Sequence, residues 1–122
     1  MVHCGQRRAI LATFDPHVEF RLAQGHPYRG DDGAWFGPDA VVRNFFMKAG
    51  PQWQDWSIEV ACIHDLGDVV VVEGRYRGIY KPTLRRMDIE VCHVWRFKDG
   101  KIAVFHQYTD TAGLRVVMGV GV

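Results

Sequence analysis

The clearest pattern in the chain is an alternation of residue types between Arg85 and Phe97. Every second residue from 87 to 97 is apolar, apart from one histidine: Met87, Ile89, Val91, His93, Trp95 and Phe97. A period of two is typical of a β-strand with one buried face, because successive side chains point to opposite sides. We therefore predict a strand over 85–97 that carries His93 on its apolar face.

Three further segments, 56–64, 69–80 and 102–110, are rich in the residues that favour strands. The tetrapeptide Lys98-Asp99-Gly100-Lys101 predicts a hairpin, since Asp-Gly suits a tight turn that needs positive φ. The segment 65–68 also reads as a turn, and 78–83 reads as an exit loop. Together these signals predict a four-stranded meander.

Helical patterns precede this meander. Gly37-Pro38-Asp39 is typical of a helix start and Gly50-Pro51 of a helix end. The apolar positions between them, Val41, Val42, Phe45, Phe46 and Ala49, follow a period near 3.6. A shorter helix over 6–14, a short strand over 18–22 and a polar loop over 24–33 complete the prediction. The fold class is α+β, with a sheet that curls around the helix and leaves an apolar cavity.

Length and composition limit the possible classes of protein. The 122 residues fit a single domain over 1–122, without repeats or linkers. The sequence has neither a run long enough to span a membrane nor a signal-peptide pattern, so we expect a cytoplasmic protein. Its three cysteines have no zinc-binding spacing, and the net charge of +1 argues against nucleic acid as a partner.

No motif for a metal or a cofactor is evident. Four scattered histidines (His3, His17, His26 and His64) form neither HxH nor HExxH. The chain contains no glycine-rich phosphate loop and no GxSxG nucleophile motif. We therefore predict no metal site and no cofactor.

Three segments carry a family resemblance: GPDAVVRNFF, VVVEGRYRG and CHVWRFKDGKIAVFHQYTDTAG. They resemble the ketosteroid isomerase and SnoaL-like polyketide cyclase superfamily, also called the nuclear transport factor 2 superfamily. The resemblance implies a cone-shaped, curved antiparallel sheet wrapped around helices, with a deep apolar pocket. It further implies a small apolar ligand or substrate and a homodimer.

The functional residues of that superfamily carry over unevenly. His93 matches the histidine of the polyketide cyclases, whereas Gln107 stands where the cyclases and the epoxide hydrolases carry an aspartate. Phe20 replaces the aspartate base of the isomerases, and Val91 replaces an arginine of the epoxide hydrolases. The chain therefore lacks the full catalytic set of any of these branches.

The resemblance also assigns one face of the last strand, with Phe105, Gln107 and Thr109, to the pocket. The substrate-binding candidates are Val91, Trp95, Phe105, Thr109, Trp35 and Tyr76. With Phe36, Trp53 and Trp56, the aromatic candidates offer area for a flat hydrophobic ligand, although ordinary core packing also explains them.

Two residues have open roles. In an apolar wall His93 is expected to be neutral, so it can donate to a developing enolate or relay a proton. Alternatively it is a buried histidine satisfied by Gln107 or a backbone carbonyl. Asp110 is a reserve base if a bulge turns it inward, and otherwise it caps the turn over 109–111.

Three functions remain as hypotheses. The first is a cofactor-independent isomerase, cyclase or dehydratase that acts on an apolar carbonyl compound, with His93, Gln107 and Asp110 as catalytic candidates. The second is a non-catalytic module that binds a hydrophobic ligand in the same pocket. The third is a dimerising structural domain whose pocket is filled by its own aromatic side chains.

Overall fold

A computed structural model describes residues 2–3, 13–30 and 33–121 of the chain. In these ranges seven strands form one curved sheet in the order β1-β4-β5-β6-β7-β2-β3. The strands are β1 (Val2–His3), β2 (Phe14–Arg21), β3 (Ala34–Phe36), β4 (Trp53–Asp65), β5 (Val69–Tyr80), β6 (Arg85–Lys98) and β7 (Lys101–Thr109). The neighbouring strands are antiparallel, except that β2 runs parallel to β7.

The predicted meander is confirmed as β4 to β7. Strands β5 and β6 stay in register along their whole pairing, from Val69 opposite Arg96 to Tyr80 opposite Arg85. The hairpin turn between β6 and β7 places Asp99 at φ 52° and Gly100 at φ 77°. Two consecutive positive φ values belong to the turn type that matches the twist of the flanking strands, as the Asp-Gly pair predicts.

Strand β4 begins three residues earlier than predicted, because an irregularity hides its alternation. Its register with β5 shifts between Gln54 and Ser57, where Asp55 has a φ of 55°, and again between Val60 and Cys62. Opposite the second shift lies Gly74, where an added methyl group would overlap the carbonyl oxygen of Glu59. Bulges of this kind increase the local twist and bend the strand, which favours curvature of the sheet.

The predicted helix after Gly37 forms a composite of four short pieces. They are α1 (Pro38–Val41), a π-helical turn (Val42–Phe46), α2 (Met47–Ala49) and a 3₁₀ turn (Gly50–Gln52). We call these pieces together the composite helix, residues 38–52. Pi-helical turns are rare and often lie beside functional sites.

The predicted helix over 6–14 lies, up to residue 12, outside the described residues. Phe14 itself begins β2, so the short strand predicted over 18–22 extends further towards the N-terminus. The parallel pairing of β2 with β7 places Phe20 beside Phe105.

A C-terminal helix, α3 (Thr111–Met118), was not predicted. It begins after Asp110, whose Oδ1 accepts a hydrogen bond of 2.9 Å from the backbone N–H of Gly113. The helix ends at Gly119, in the left-handed conformation with a φ of 70°. Its buried residues, Leu114, Val117 and Met118, pack against the sheet in one of the apolar clusters of the core.

The helices and the curved sheet confirm the predicted α+β fold class. One core cluster lies between the sheet and α3, and a second lies around β2, β7 and the start of the composite helix. The space between these clusters is the candidate site. No helix among the described residues is long and apolar enough to cross a bilayer.

Candidate functional site

A cavity of about 330 Å³ lies between the sheet, the composite helix and the loop that follows β2. Its wall is largely aromatic and includes Phe20, Tyr28, Phe45, Trp53, Trp95 and Phe105. Phe46 and Trp56 also line the cavity while about half of each side chain is exposed to solvent. These two residues therefore mark its mouth, next to the π-helical turn and the first bulge of β4.

One wall carries a buried chain of three polar side chains. The side-chain amide of Gln107 donates to the hydroxyl oxygen of Tyr76 over 3.0 Å, and the same hydroxyl is hydrogen-bonded to Nε2 of His93. Strand register explains part of this arrangement, since His93 and Gln107 are direct partners across β6 and β7. Tyr76 reaches them from β5, on the opposite side of β6.

The proton positions in this chain follow from its donors and acceptors. Burial lowers the pKa of His93 to about 4, so the imidazole is neutral at neutral pH. Burial also raises the pKa of Tyr76, although the hydrogen bond from Gln107 acts in the opposite direction. Because the Tyr76 oxygen already accepts from Gln107, its own proton is best used towards Nε2 of His93. The neutral ring then carries its proton on Nδ1, which is a donor.

Two buried polar atoms in the same wall lack a hydrogen-bond partner among the described residues. They are the indole Nε1 of Trp95 and the side-chain oxygen Oε1 of Gln107. An unpaired buried donor or acceptor costs about 1 to 3 kcal/mol.

The opposite wall contains a second polar group, which the sequence reasoning missed. His26 is 8% exposed and lines the cavity. Its Nδ1 accepts a hydrogen bond of 3.1 Å from the backbone N–H of Tyr28, and burial lowers its pKa to about 4. Near it, the hydroxyl of Tyr28 donates to Gln52 and accepts from Trp53. His26 lies in a loop, where no periodicity indicates the direction of a side chain.

The structure brings five of the nine candidate site residues to the cavity. They are His93, Gln107, Tyr76, Trp95 and Phe105. The last two are in contact, with ring centroids 4.5 Å apart, and Phe105 also packs edge-on against His93.

Three of the proposed substrate-binding residues lie elsewhere. Trp35 stacks on Phe45, with centroids 5.9 Å apart, and is not part of the described lining. Val91 is buried with Leu114 beneath α3. This helix, which was not predicted from the sequence, covers that part of β6. Thr109 donates to the backbone oxygen of Glu90 over 2.6 Å at an exposed position.

Asp110 also lies outside the cavity. It is exposed, and its carboxylate is the N-cap of α3 rather than a group turned inward by a bulge. This geometry agrees with the capping alternative and leaves the reserve-base alternative without a structural basis. The described lining of the cavity contains no carboxylate.

The outer face of the sheet is charged and does not contribute to the cavity. Glu73 pairs with His64 over 2.6 Å, and Arg75 pairs with Asp88 over 2.8 Å. Arg77 forms a further ion pair with Glu59. All three contacts join side chains of neighbouring strands, as is typical of cross-strand pairs on an exposed sheet face. Among the described residues, no group of three metal-binding side chains comes together.

Comparison with known proteins adds a family to this geometry. Residues 2–105 match the model of the SnoaL-like domain. An NTF2-like protein from Burkholderia thailandensis is 35% identical, with a TM-score of 0.79 over 86% of this chain and 78% of that one. An NTF2-like protein from Burkholderia pseudomallei is 25% identical, with a TM-score of 0.77 over 88% and 81%.

A third similar structure is TerC co-crystallised with polyporic acid. It is 20% identical, with a TM-score of 0.75 over 87% of this chain and 80% of that one, and at this identity the likeness concerns the fold alone. No curated protein matches the chain.

Proposed function

The chain belongs to the SnoaL-like domain family, and from that membership and the chemistry of the cavity we propose that it binds a compact apolar carbonyl compound. His93 donates a hydrogen bond to the carbonyl oxygen and polarises it. Gln107 and Tyr76 hold the His93 ring in the required orientation. Trp95 and Phe105 provide the apolar surface beside it.

The observation that carries this proposal is the buried chain from Gln107 through Tyr76 to His93. A ring held at Nε2 by Tyr76 has only Nδ1–H to offer to a ligand. A buried neutral donor interacts more strongly with a carbonyl oxygen than an exposed one, since the local dielectric is low. Carbonyl oxygen is an acceptor without a proton, so it matches the donor that His93 offers.

The shape of the cavity supports a ligand that is compact and largely aromatic or alicyclic. Flat rings pack well against an aromatic wall, and the volume of about 330 Å³ suits a small molecule. The structure of TerC co-crystallised with polyporic acid is consistent with small-molecule binding in this fold.

A second candidate is catalysis of an isomerisation, cyclisation or dehydration. It is favoured by the polarising donor itself, because a hydrogen bond to a carbonyl oxygen acidifies the neighbouring C–H bond. A catalyst of this kind also needs a base, and Gln107 occupies the position where polyketide cyclases carry a carboxylate. Binding is therefore the better supported function, and turnover is an extension of it.

The third hypothesis, a purely structural domain that fills its own pocket, is less well supported. The cavity stays open although ten aromatic side chains of the described residues line it. A homodimer is still the assembly that the family resemblance predicts, and light scattering coupled to size-exclusion chromatography measures it.

The proposal is tested with a panel of cyclic ketones and polyketide-like esters. Binding is followed by ¹H–¹⁵N NMR titration, and turnover by deuterium incorporation next to the carbonyl in D₂O. We expect His93→Phe to weaken ketone binding about tenfold, the value of one hydrogen bond in a buried site. The control is His106→Phe, which changes a histidine that stacks on exposed Tyr108 outside the cavity. Equal affinities of the two variants would refute the role of His93.

A further inference from the structure

We infer that His26 is a second hydrogen-bond donor to the ligand, and that the preferred ligand is therefore a dicarbonyl compound. Its two oxygen atoms lie at opposite ends of an apolar ring system. This inference rests on the proposed function and makes its ligand class narrower. It assigns a role to a loop residue that the family resemblance leaves without one.

The loop holds His26 in place from several sides. The backbone N–H of His26 donates to the oxygen of Ala23 over 3.0 Å, and its own carbonyl accepts from Arg29 over 3.0 Å. From α3, Arg115 donates to the carbonyl of Gly25 over 3.0 Å. The imidazole thus projects from a turn that is fixed by its own backbone and by the C-terminal helix.

The tautomer of His26 follows from its backbone contact. Because the Tyr28 N–H donates to Nδ1, this nitrogen must keep its lone pair, and the proton of the neutral ring lies on Nε2. Within the described residues, Nε2 makes no hydrogen bond. It is therefore a donor that a molecule bound in the cavity can use.

The two histidines belong to different walls of one cavity. His93 packs against Phe105 of the sheet, whereas His26 packs against Phe45 of the composite helix. The ring of Phe20 contacts both Phe105 and Phe45 and so connects the two walls. The cavity therefore has one histidine on each of two walls, with the aromatic rings of Phe20, Phe45 and Phe105 between them.

This arrangement discriminates between ligands by the number of their acceptors. A monoketone pairs with one histidine and leaves the other N–H unpaired in a desolvated site. A dicarbonyl compound satisfies both, and the described lining contains no carboxylate that would repel its oxygens. A site built to hydrogen-bond a ligand disfavours an analogue that lacks the matching group.

The test compares two bicyclic probes, 1-tetralone with one carbonyl and 2,3-dimethyl-1,4-naphthoquinone with two. Dissociation constants are measured by ¹H–¹⁵N NMR titration for the wild type, His26→Phe and His93→Phe. We expect His26→Phe to weaken binding of the dione about tenfold and of the ketone less than twofold. His93→Phe should weaken both. Equal losses for the two probes in His26→Phe, or no loss for the dione, would overturn the inference.

A second measurement uses the wild type and does not depend on the folding of a variant. Long-range ¹H–¹⁵N spectra of the imidazole rings report which nitrogen carries the proton. We expect the Nε2–H tautomer for His26, with a shift of its Nε2 signal on addition of the dione and not of the ketone. An Nδ1–H tautomer, or an unchanged Nε2 signal with the dione bound, would contradict the inference alone. Failure of both probes to bind the wild type would instead refute the proposed function.

Discussion

Tyr76→Phe removes the hydroxyl group that joins Gln107 to His93 and leaves the rest of the ring in place. The hydroxyl is the centre of two hydrogen bonds, one from Gln107 and one with Nε2 of His93. All three side chains are more than 90% buried, so only water inside the cavity could replace the lost partner. The variant should therefore be destabilised well beyond the loss of one oxygen atom.

The expected magnitude follows from the two groups that lose their partner. Leaving a buried polar group unsatisfied costs about 1 to 3 kcal/mol, so two such groups give a loss of about 2 to 4 kcal/mol, with some relaxation allowed for. Such a change lowers the midpoint of urea unfolding by about 1 to 2 M in a domain of this size. Tryptophan fluorescence follows the transition.

Tyr80→Phe is the matched control. Tyr80 lies on the same strand at 9% exposure against 7% for Tyr76, and within the described residues its hydroxyl makes no hydrogen bond. We expect this control to lose less than about 1 kcal/mol. Adding Gln107→Leu to Tyr76→Phe should cost less than the sum of the two single changes, because the amide is already unpaired. If Tyr76→Phe is no less stable than the control, the hydroxyl does not hold His93 in place.

Three further predictions concern the fold and the polar groups of the cavity. His26 and His93 have folded pKa values near 4 against about 6.5 in the unfolded chain. Between pH 6.5 and 4 the unfolded state therefore binds more protons than the folded state. As the pH is lowered through this window, the free energy of unfolding should fall by up to about 3 kcal/mol per histidine. Urea titrations at several pH values measure this dependence, and His93→Phe should reduce its slope; parallel slopes would contradict the assignment. Asp110→Ala should cost about 1 kcal/mol through loss of the helix cap, whereas Asp110→Asn should retain stability and any turnover. Loss of turnover in Asp110→Asn with stability intact would restore Asp110 as a base. Gly74→Ala should be more destabilising in thermal melts than Gly78→Ala on the same strand, since only the first methyl group would overlap a backbone oxygen of β4; equal melting temperatures would contradict the close approach.

Much of the sheet could be predicted because strand periodicity is a direct consequence of backbone geometry. The alternation around His93, the Asp-Gly turn and the limits of β5 all follow from local sequence. The exceptions are positions where a local irregularity interrupts the period. The positive φ of Asp55 accounts for the late predicted start of β4, and the π-helical turn over Val42–Phe46 has no distinctive composition.

The C-terminal helix α3 was not predicted for a different reason. Its signals are present, since Asp110 is a good N-cap and Leu114, Val117 and Met118 follow helical spacing. Gly113 in its first turn disfavours a helix and weakens the pattern. The structure explains why glycine occupies position 113: a methyl group there would collide with the capping carboxylate of Asp110.

The sheet wall of the site could be predicted from the sequence, whereas the wall formed by the loop and the composite helix could not. Strand alternation and register bring His93 and Gln107 together on one wall, and the same rule gives the face of Tyr76. The other wall consists of a loop and an irregular helix, in which the direction of His26 depends on its hydrogen bonds with Tyr28 and Ala23. Sequence reasoning therefore found the donor on the sheet and not its counterpart. A single donor is compatible with any carbonyl ligand. The selectivity that we infer for a ligand with two acceptors depends on the second donor, which hydrogen bonds within its own loop hold in place.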